Sequence, residues 1–398
     1  MIHCRVDPTT CTTTTSTSTS LERRVIDENG TIKLISNDID NDKGFRKGML
    51  ALKDIKKHWT LDEFMRMDDQ YNFKIQRQKE SWIESNGGLS VEQSAAIDFQ
   101  NCMNLFQFQR SRYGFLYGTV EASDVPEPKK DVYGNILNED ECIPKSKVKV
   151  EFIYEPPQEA NPNLPEGFTI VDDPDEERVE EIAKLLGVQK VGWILGTPTR
   201  EKGFTFTAAE IILAAEFQLE AADGINPTSF VTVKVSEDED GVRTFEAFQM
   251  SLQCMEMVAE GALEVGNDPK VCHINETYTA IQESKASKTV ENDFFLTLVP
   301  IVQHVSKTFV YQFPKANRED LGQIQNADAM KKQLSKSGSQ GWDFIDLLSD
   351  FHLLLYLTKF LNEDDIPKIC KSIVDREIPL PSGYKIIIAS MAGMDGHY

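Results

Sequence analysis

The sequence predicts a mixed fold of the α+β or α/β class, with a layered sheet-and-helix domain followed by a mixed, helix-containing C-terminal domain. Three observations carry this expectation. Between about residues 92 and 270, period-2 and period-3.6 apolar patterns alternate in the order β-α-β-α-β-β-α. The hydrophobic fraction, 40% of 398 residues, is enough for a real core. Near the end, Phe344 to Leu361 is apolar on nearly every side, as in a buried helix.

Residues 1–60 form the first expected unit, a Thr/Ser-rich tail that buries too little apolar surface to order itself. Residues 61–91 are expected to be a linker with a short helix, opened by the capping signal Thr60-Leu61-Asp62-Glu63. The layered domain, 92–270, then starts with a helix over Glu92 to Phe108. Tyr113 to Val120 reads as a strand whose Gly114 and Gly118 permit close backbone approach. Asp131 to Pro144 reads as an exposed loop, and Val148 to Tyr154 alternates as a second strand, stopped by Pro156-Pro157. Acids from Asp172 to Glu177 sit at the positive end of a helix carrying Val179, Ile182, Ala183 and Leu186, closed by Gly187. Val188 to Leu195 is the next strand and Thr207 to Ala222 the next helix. Phe230 to Val235 and Arg243 to Phe248 make a hairpin through Asp240-Gly241, and Leu252 to Leu263 is helical. In the last unit, 271–398, Asn292 to Val299 opens a mixed region and Gly383 to Ile388 is expected to be a terminal strand.

The charge balance, 42 Lys+Arg against 64 Asp+Glu, argues against nucleic-acid binding, which needs cations to replace phosphate counterions. No apolar run is long enough to insert directly into a membrane. The 6 His and 7 Cys show no CxxC and no tight His pair, which excludes zinc fingers and a disulfide framework and implies no metal or other cofactor. The acidic turn Ser236 to Gly241 is no calcium loop, because the twelfth position is Ala247. Walker A, GxGxxG and GxSxG signatures are missing.

One segment does point to an enzyme frame. Val191-Gly192-Trp193-Ile194-Leu195-Gly196-Thr197-Pro198 resembles the strand and turn of the JAB/MPN metalloproteases. In active members of that family this stretch reads V-G-W-Y-H-x-H-P, followed by S-x-x-D, and an upstream Glu activates the zinc-bound water. Here the two His positions hold Leu195 and Thr197, the S-x-x-D counterpart is Thr207-Ala208-Ala209-Glu210, and the upstream Glu falls near Ser111. The resemblance therefore implies a catalytically inactive MPN-like domain, a pseudoenzyme frame without its metal.

A wider set of words is similar to the nuclear protein localization protein 4 family, the ubiquitin-receptor cofactors of an AAA ATPase segregase. They run in family order: Gly114-Phe115-Leu116-Tyr117-Gly118, Ile153-Tyr154-Glu155-Pro156-Pro157-Gln158, Val191-Gly192-Trp193-Ile194, the stretch Phe245 to Cys254, Asn292-Asp293-Phe294-Phe295, Phe313-Pro314 with Asn317-Arg318, and Ser349 to Leu355. The resemblance implies a non-enzymatic polyubiquitin-binding adaptor that recruits ubiquitylated proteins for unfolding and proteasomal degradation, including ER-associated degradation. Its implied partners are polyubiquitin, the AAA ATPase segregase and the ubiquitin fusion degradation cofactor. The implied location is nucleus and cytoplasm, with a peripheral presence at the ER membrane. Relative to fuller members the chain is expected to be a shortened form, without the N-terminal ubiquitin-like domain and the zinc motifs. Capture of an unfolded chain wants an aromatic-lined groove with backbone partners, for which Phe248, Gln249, Ser251 and Phe351 are the candidates. The alternative is a structural MPN subunit of a proteasome-lid-like or translation-initiation-like assembly.

Overall fold

The computed structural model describes residues 23–26, 32–35, 72–123, 127–130, 136–143, 145–338 and 342–394. The Thr/Ser tract and the capping signal at Thr60 lie outside them. An eight-stranded sheet is the centre of the molecule. Its strands are β1 (Leu89–Glu92), β2 (Arg112–Ala122), β3 (Ser146–Tyr154), β4 (Gln189–Gly196), β5 (Val231–Glu237), β6 (Arg243–Met250), β7 (Leu296–Val299) and β8 (Ile301–His304). They lie in the order β7-β6-β5-β4-β2-β3-β1-β8.

The two edge strands, β7 and β8, are consecutive in sequence and separated only by Pro300. A strand advances only about 3.3 Å per residue. The sheet therefore curls until both edges meet along one extended segment, Leu296 to His304. β7 pairs antiparallel with β6 and β8 parallel with β1. Pro300 suits the crossing because it has no N–H to leave unpaired. Strands on both sides of residue 270 thus share one sheet. The enclosed face packs Leu89, Val91, Leu116, Val150, Ile194, Val233, Ala247 and Val299 together. Helix α1 (Gln93–Leu105) adds Phe99 and Met103 to this cluster. Glu92 caps α1, accepting the Ala95 N–H at 2.7 Å.

The outer face carries two further clusters. Helix α2 (Glu176–Leu185) presents Val179, Ile182 and Ala183 to Tyr117, Phe152 and Tyr154. Helices α3 (Ala208–Ala221) and α4 (Leu252–Ala259) cover Tyr113, Trp193, Leu195, Phe248 and Met250. Gly187 ends α2 with φ +74, as its position predicts. Gly118 is required by packing, since a Cβ there would lie 1.9 Å from the Lys149 carbonyl oxygen at a bulge between β2 and β3.

From residue 327 onward the chain is helical: α5 (Ala327–Leu334), α6 (Phe344–Leu348), α7 (Phe351–Leu357), α8 (Ile366–Val374) and α9 (Ser382–Met391). Their core is continuous with Tyr117, Phe152 and Tyr154 of the sheet. Among the described residues no helix is long and apolar enough to cross a membrane.

Four expectations are corrected. The loop over 131–144 contains a strand, Ile136–Ile143, paired with Glu127–Lys130. The helix from Leu252 stops at Ala259, because Gly261 turns the chain with φ +65 into the strand Leu263–Val265. The run from Phe344 is two helices, broken where buried Asp350 caps α7 by accepting the N–H groups of His352 at 3.1 Å and Leu353 at 3.4 Å. Gly383 to Ile388 is helix rather than strand. At helical spacing Tyr384, Ile388 and Met391 pack on the bundle, while Ile386 is left 63% exposed. Packing overrides the β-preference of the three isoleucines.

Candidate functional site

Ser111, Leu195, Thr197 and Glu210, which the JAB/MPN resemblance sets against metal-site positions, gather at one end of β4. The β4–β2 ladder ends at Leu195↔Tyr113 and Gly196↔Arg112, so Thr197 and Ser111 leave it side by side. All of them are buried: Leu195 and Thr197 are fully enclosed and Ser111 nearly so. Glu210 sits at the start of α3, where it closes a capping box with Thr207. It receives the Thr207 N–H at 3.0 Å, while the Thr207 hydroxyl receives the Glu210 N–H at 3.1 Å.

Two cations fill the remaining space around this carboxylate. Arg200 forks onto both Glu210 oxygens, with Nη1–Oε2 at 2.8 Å and Nη2 on Oε1. Lys234, opposite Leu195 on β5, brings its Nζ to 3.6 Å from Glu210 Oε2 and 4.4 Å from the centre of the Phe206 ring. Burial pushes the Lys234 ammonium down to about 7, against the pull of Glu210. The two cations, outweighing the burial of Glu210, hold its carboxyl below the usual range. Zinc does not fit here. Leu195 has no donor atom, and both oxygens of the one carboxylate are taken by Arg200, with Lys234 beside them. Among the described residues no group of three or more His, Cys, Asp or Glu is placed to hold a metal.

The groove candidates are placed differently from the expectation. Phe248, Gln249 and Ser251 lie together at the end of β6, but Phe351 is not with them. It stacks on Phe152 at 4.0 Å, with β4 and β5 among the strands between. All four are at most 7% exposed, so none lines an open groove. Phe248 meets Phe206 edge-on at 5.3 Å, and Ser251 caps α4, accepting the Cys254 N–H at 3.1 Å.

Gln249 has a more specific task. Its Oε1 accepts the Trp82 N–H at 2.9 Å, while its Nε2 donates to the carbonyls of Thr228 at 2.9 Å and Phe230 at 3.0 Å. Two residues into α4, Gln253 accepts the Gln76 N–H at 3.0 Å and donates to the Lys74 carbonyl at 2.7 Å. The stretch Phe245 to Cys254 therefore does bind an extended chain through its backbone, but that chain is this protein's own segment, residues 74–82. The segment is held at one end by Asn72–Lys74 beside Thr279–Gln282 and at the other by the Ser146 N–H on the Trp82 carbonyl at 2.9 Å.

A second buried ionic cluster joins two of the sequence words. Glu155 is ion-paired to Arg112 and Arg318, with Arg318 Nε–Oε1 at 2.9 Å. Arg318 also reaches Asp98 on α1 at 2.8 Å. The Asn317 side chain donates to the Glu155 carbonyl at 2.9 Å, and Arg112 donates to the Asn317 carbonyl at 2.8 Å. These contacts tie the sheet to the segment leading into the helical bundle.

The sequence profile described as the NPL4 family matches residues 132–381. The chain belongs to the NPL4 family. It is 34% identical over 334 residues to NPL4-like protein 2 of Arabidopsis thaliana, a match covering 80% of this chain and 70% of that protein. It is 30% identical over 311 residues to the nuclear protein localization protein 4 homolog of Dictyostelium discoideum, covering 75% of this chain and 47% of that one. Against the Homo sapiens homolog of the same name it is 29% identical over 294 residues, covering 62% and 44%. Glu155, Gln249 and Arg318, each inside one of the family words, are thus carriers of buried polar contacts. Gln158 continues the pattern, accepting the Tyr113 N–H at 2.8 Å and donating to the Tyr113 carbonyl at 2.8 Å. Sequence reasoning missed Lys234 and Arg200. The signal for Lys234 was present, a single charge inside Phe230-Val231-Thr232-Val233-Lys234-Val235.

Proposed function

We propose that this chain is a non-catalytic adaptor that binds polyubiquitin and hands ubiquitylated proteins to an AAA ATPase segregase for unfolding and proteasomal degradation, ER-associated degradation included. It acts with the ubiquitin fusion degradation cofactor, in the nucleus and cytoplasm and peripherally at the ER membrane. Membership of the NPL4 family supports the adaptor class. The observation that supports the non-catalytic part is the Glu210 carboxylate, enclosed and ion-paired to Arg200 and Lys234. Leu195 offers no ligand atom, and both Glu210 oxygens are engaged by Arg200. In this reading Ser111, Leu195, Thr197 and Glu210 are relics of a metal site. Phe248, Gln249, Ser251 and Phe351 support the binding surface from beneath.

The test uses the purified full chain, alone and with its cofactor partner. It is expected to retain polyubiquitin, to co-purify with the hexameric ATPase, and to leave a diubiquitin substrate intact with or without added zinc. Absence of polyubiquitin retention in both preparations overturns the adaptor reading. Diubiquitin cleavage with stoichiometric zinc overturns the non-catalytic one.

A further inference from the structure

Helices α3 and α4 carry an apolar cluster set apart from the three cores of the sheet and bundle. Leu219 of α3 is buried with Met255 and Ala259 of α4, and Leu252 and Val258 of α4 pack against them. Such satellite clusters form where another stretch of chain lies over the surface. The charges of this helix pair are all of one sign. Glu216 and Glu220 stand in α3, Glu256 in α4 and Glu260 at its C-cap, whereas neither helix holds a Lys or Arg. Glu220 and Glu256 lie in the last turns, at the negative end of each helix dipole, where cations and not acids are favourable. The cations that suit this face must therefore come from elsewhere.

The described residues before Asn72 form two strands, Arg23–Ile26 and Ile32–Ile35. They pair antiparallel, with Arg23 opposite Ile35 and Ile26 opposite Ile32. A lone two-stranded hairpin is marginal in water. This one is not alone, because its first strand runs beside α4, Cα to Cα within 8 Å. The two strands read Arg-Arg-Val-Ile and Ile-Lys-Leu-Ile, three cations and five aliphatic residues with no acid. In sign and in hydrophobicity this sequence is the complement of the helix face it lies beside.

We infer that the outer α3–α4 face is a docking surface closed in cis by the hairpin of residues 23–35, a cover held by the charge of Arg23 and Arg24 against Glu256 and Glu260. Residues 36–71 separate the hairpin from Asn72, so the covalent link does not fix it to this face and the contact itself must hold it. Tethering keeps the cover at a high effective concentration. Any other basic, aliphatic ligand reaches the face only by displacing it.

Hydrogen exchange on the full chain reads the cover directly, because an undocked hairpin of this size gives its amides little protection. The amides of residues 23–26 and 32–35 are expected to exchange at least tenfold slower than in a synthetic peptide of residues 21–37. Raising sodium chloride to 1 M is expected to cut that protection at least fivefold in the natural chain, since the charges that hold the cover are screened. Arg23→Glu with Arg24→Glu is expected to bring exchange to within twofold of the peptide. Adding Glu256→Arg with Glu260→Arg to that variant is expected to recover at least fivefold protection, and the amides of the central sheet report that every variant is folded. Peptide-like exchange in the natural chain, protection indifferent to salt, or no recovery in the charge-swapped variant overturns the inference.

Discussion

Lys234 stands enclosed beside Glu210, and it does so at a cost. Its ammonium is enclosed, and burial lowers it to about 7 from 10.5. Between these two values the unfolded chain holds the proton more tightly than the folded one, so this side chain makes stability rise as pH rises from 7 toward 10.5 and fall as pH drops back through that window. The comparison with Lys234→Met isolates the effect. Between pH 7 and pH 9 the unfolding free energy of the natural chain is expected to gain on the order of 2 kcal/mol relative to the variant, measured by urea denaturation at each pH. Parallel pH profiles would show that Lys234 is not the titrating group. Glu210 shows the other side of the same exchange. A residue that looks like a surviving ligand is held by its capping box and its two cations, so its role here is structural.

At the scale of the element, the notable feature is an extended segment with almost no regular structure of its own. Between Lys74 and Trp82 three of its backbone groups are bound by the side chains of Gln249 and Gln253. Side-chain amides can donate and accept at once, so each glutamine ties its own secondary structure to that segment. Gln249→Ala leaves the Trp82 N–H and the carbonyls of Thr228 and Phe230 without this partner, at an expected cost of about 3 kcal/mol. Hydrogen exchange checks the location. The Trp82 amide is expected to lose protection before the strands of the central sheet do, and a uniform loss across the sheet would contradict a local role.

Across the whole molecule, the curled sheet and the helical bundle form one unit. Their cores are shared through Tyr117, Phe152 and Phe351. The Glu155–Arg318–Asp98 ion pairs fix the crossing between them. Arg318→Met removes one of the two cations on buried Glu155, and it is expected to cost about 3–5 kcal/mol in a single cooperative unfolding transition. Two separated transitions would mean that the bundle unfolds independently of the sheet.

The parts of the fold legible in the sequence are those set by local chemistry. Gly187 after α2, the acids opening α2 and the turn at Asp240-Gly241 each fix an element within a few residues. The family words were equally plain, because they depend only on which side chain stands where. Three things were decided by the tertiary structure alone. Closure of the sheet through Pro300 depends on two edges far apart in strand order. The helical state of Ser382–Met391 depends on a bundle surface that competes with the β-preference of its isoleucines. The burial of Phe248, Gln249, Ser251 and Phe351 depends on which segment covers them, and for Gln249 that is residues 74–82, more than 160 residues earlier in the chain. Sequence patterns report period and spacing along one element, whereas cover and charge neutralisation come from partners distant in sequence, which only folding brings together.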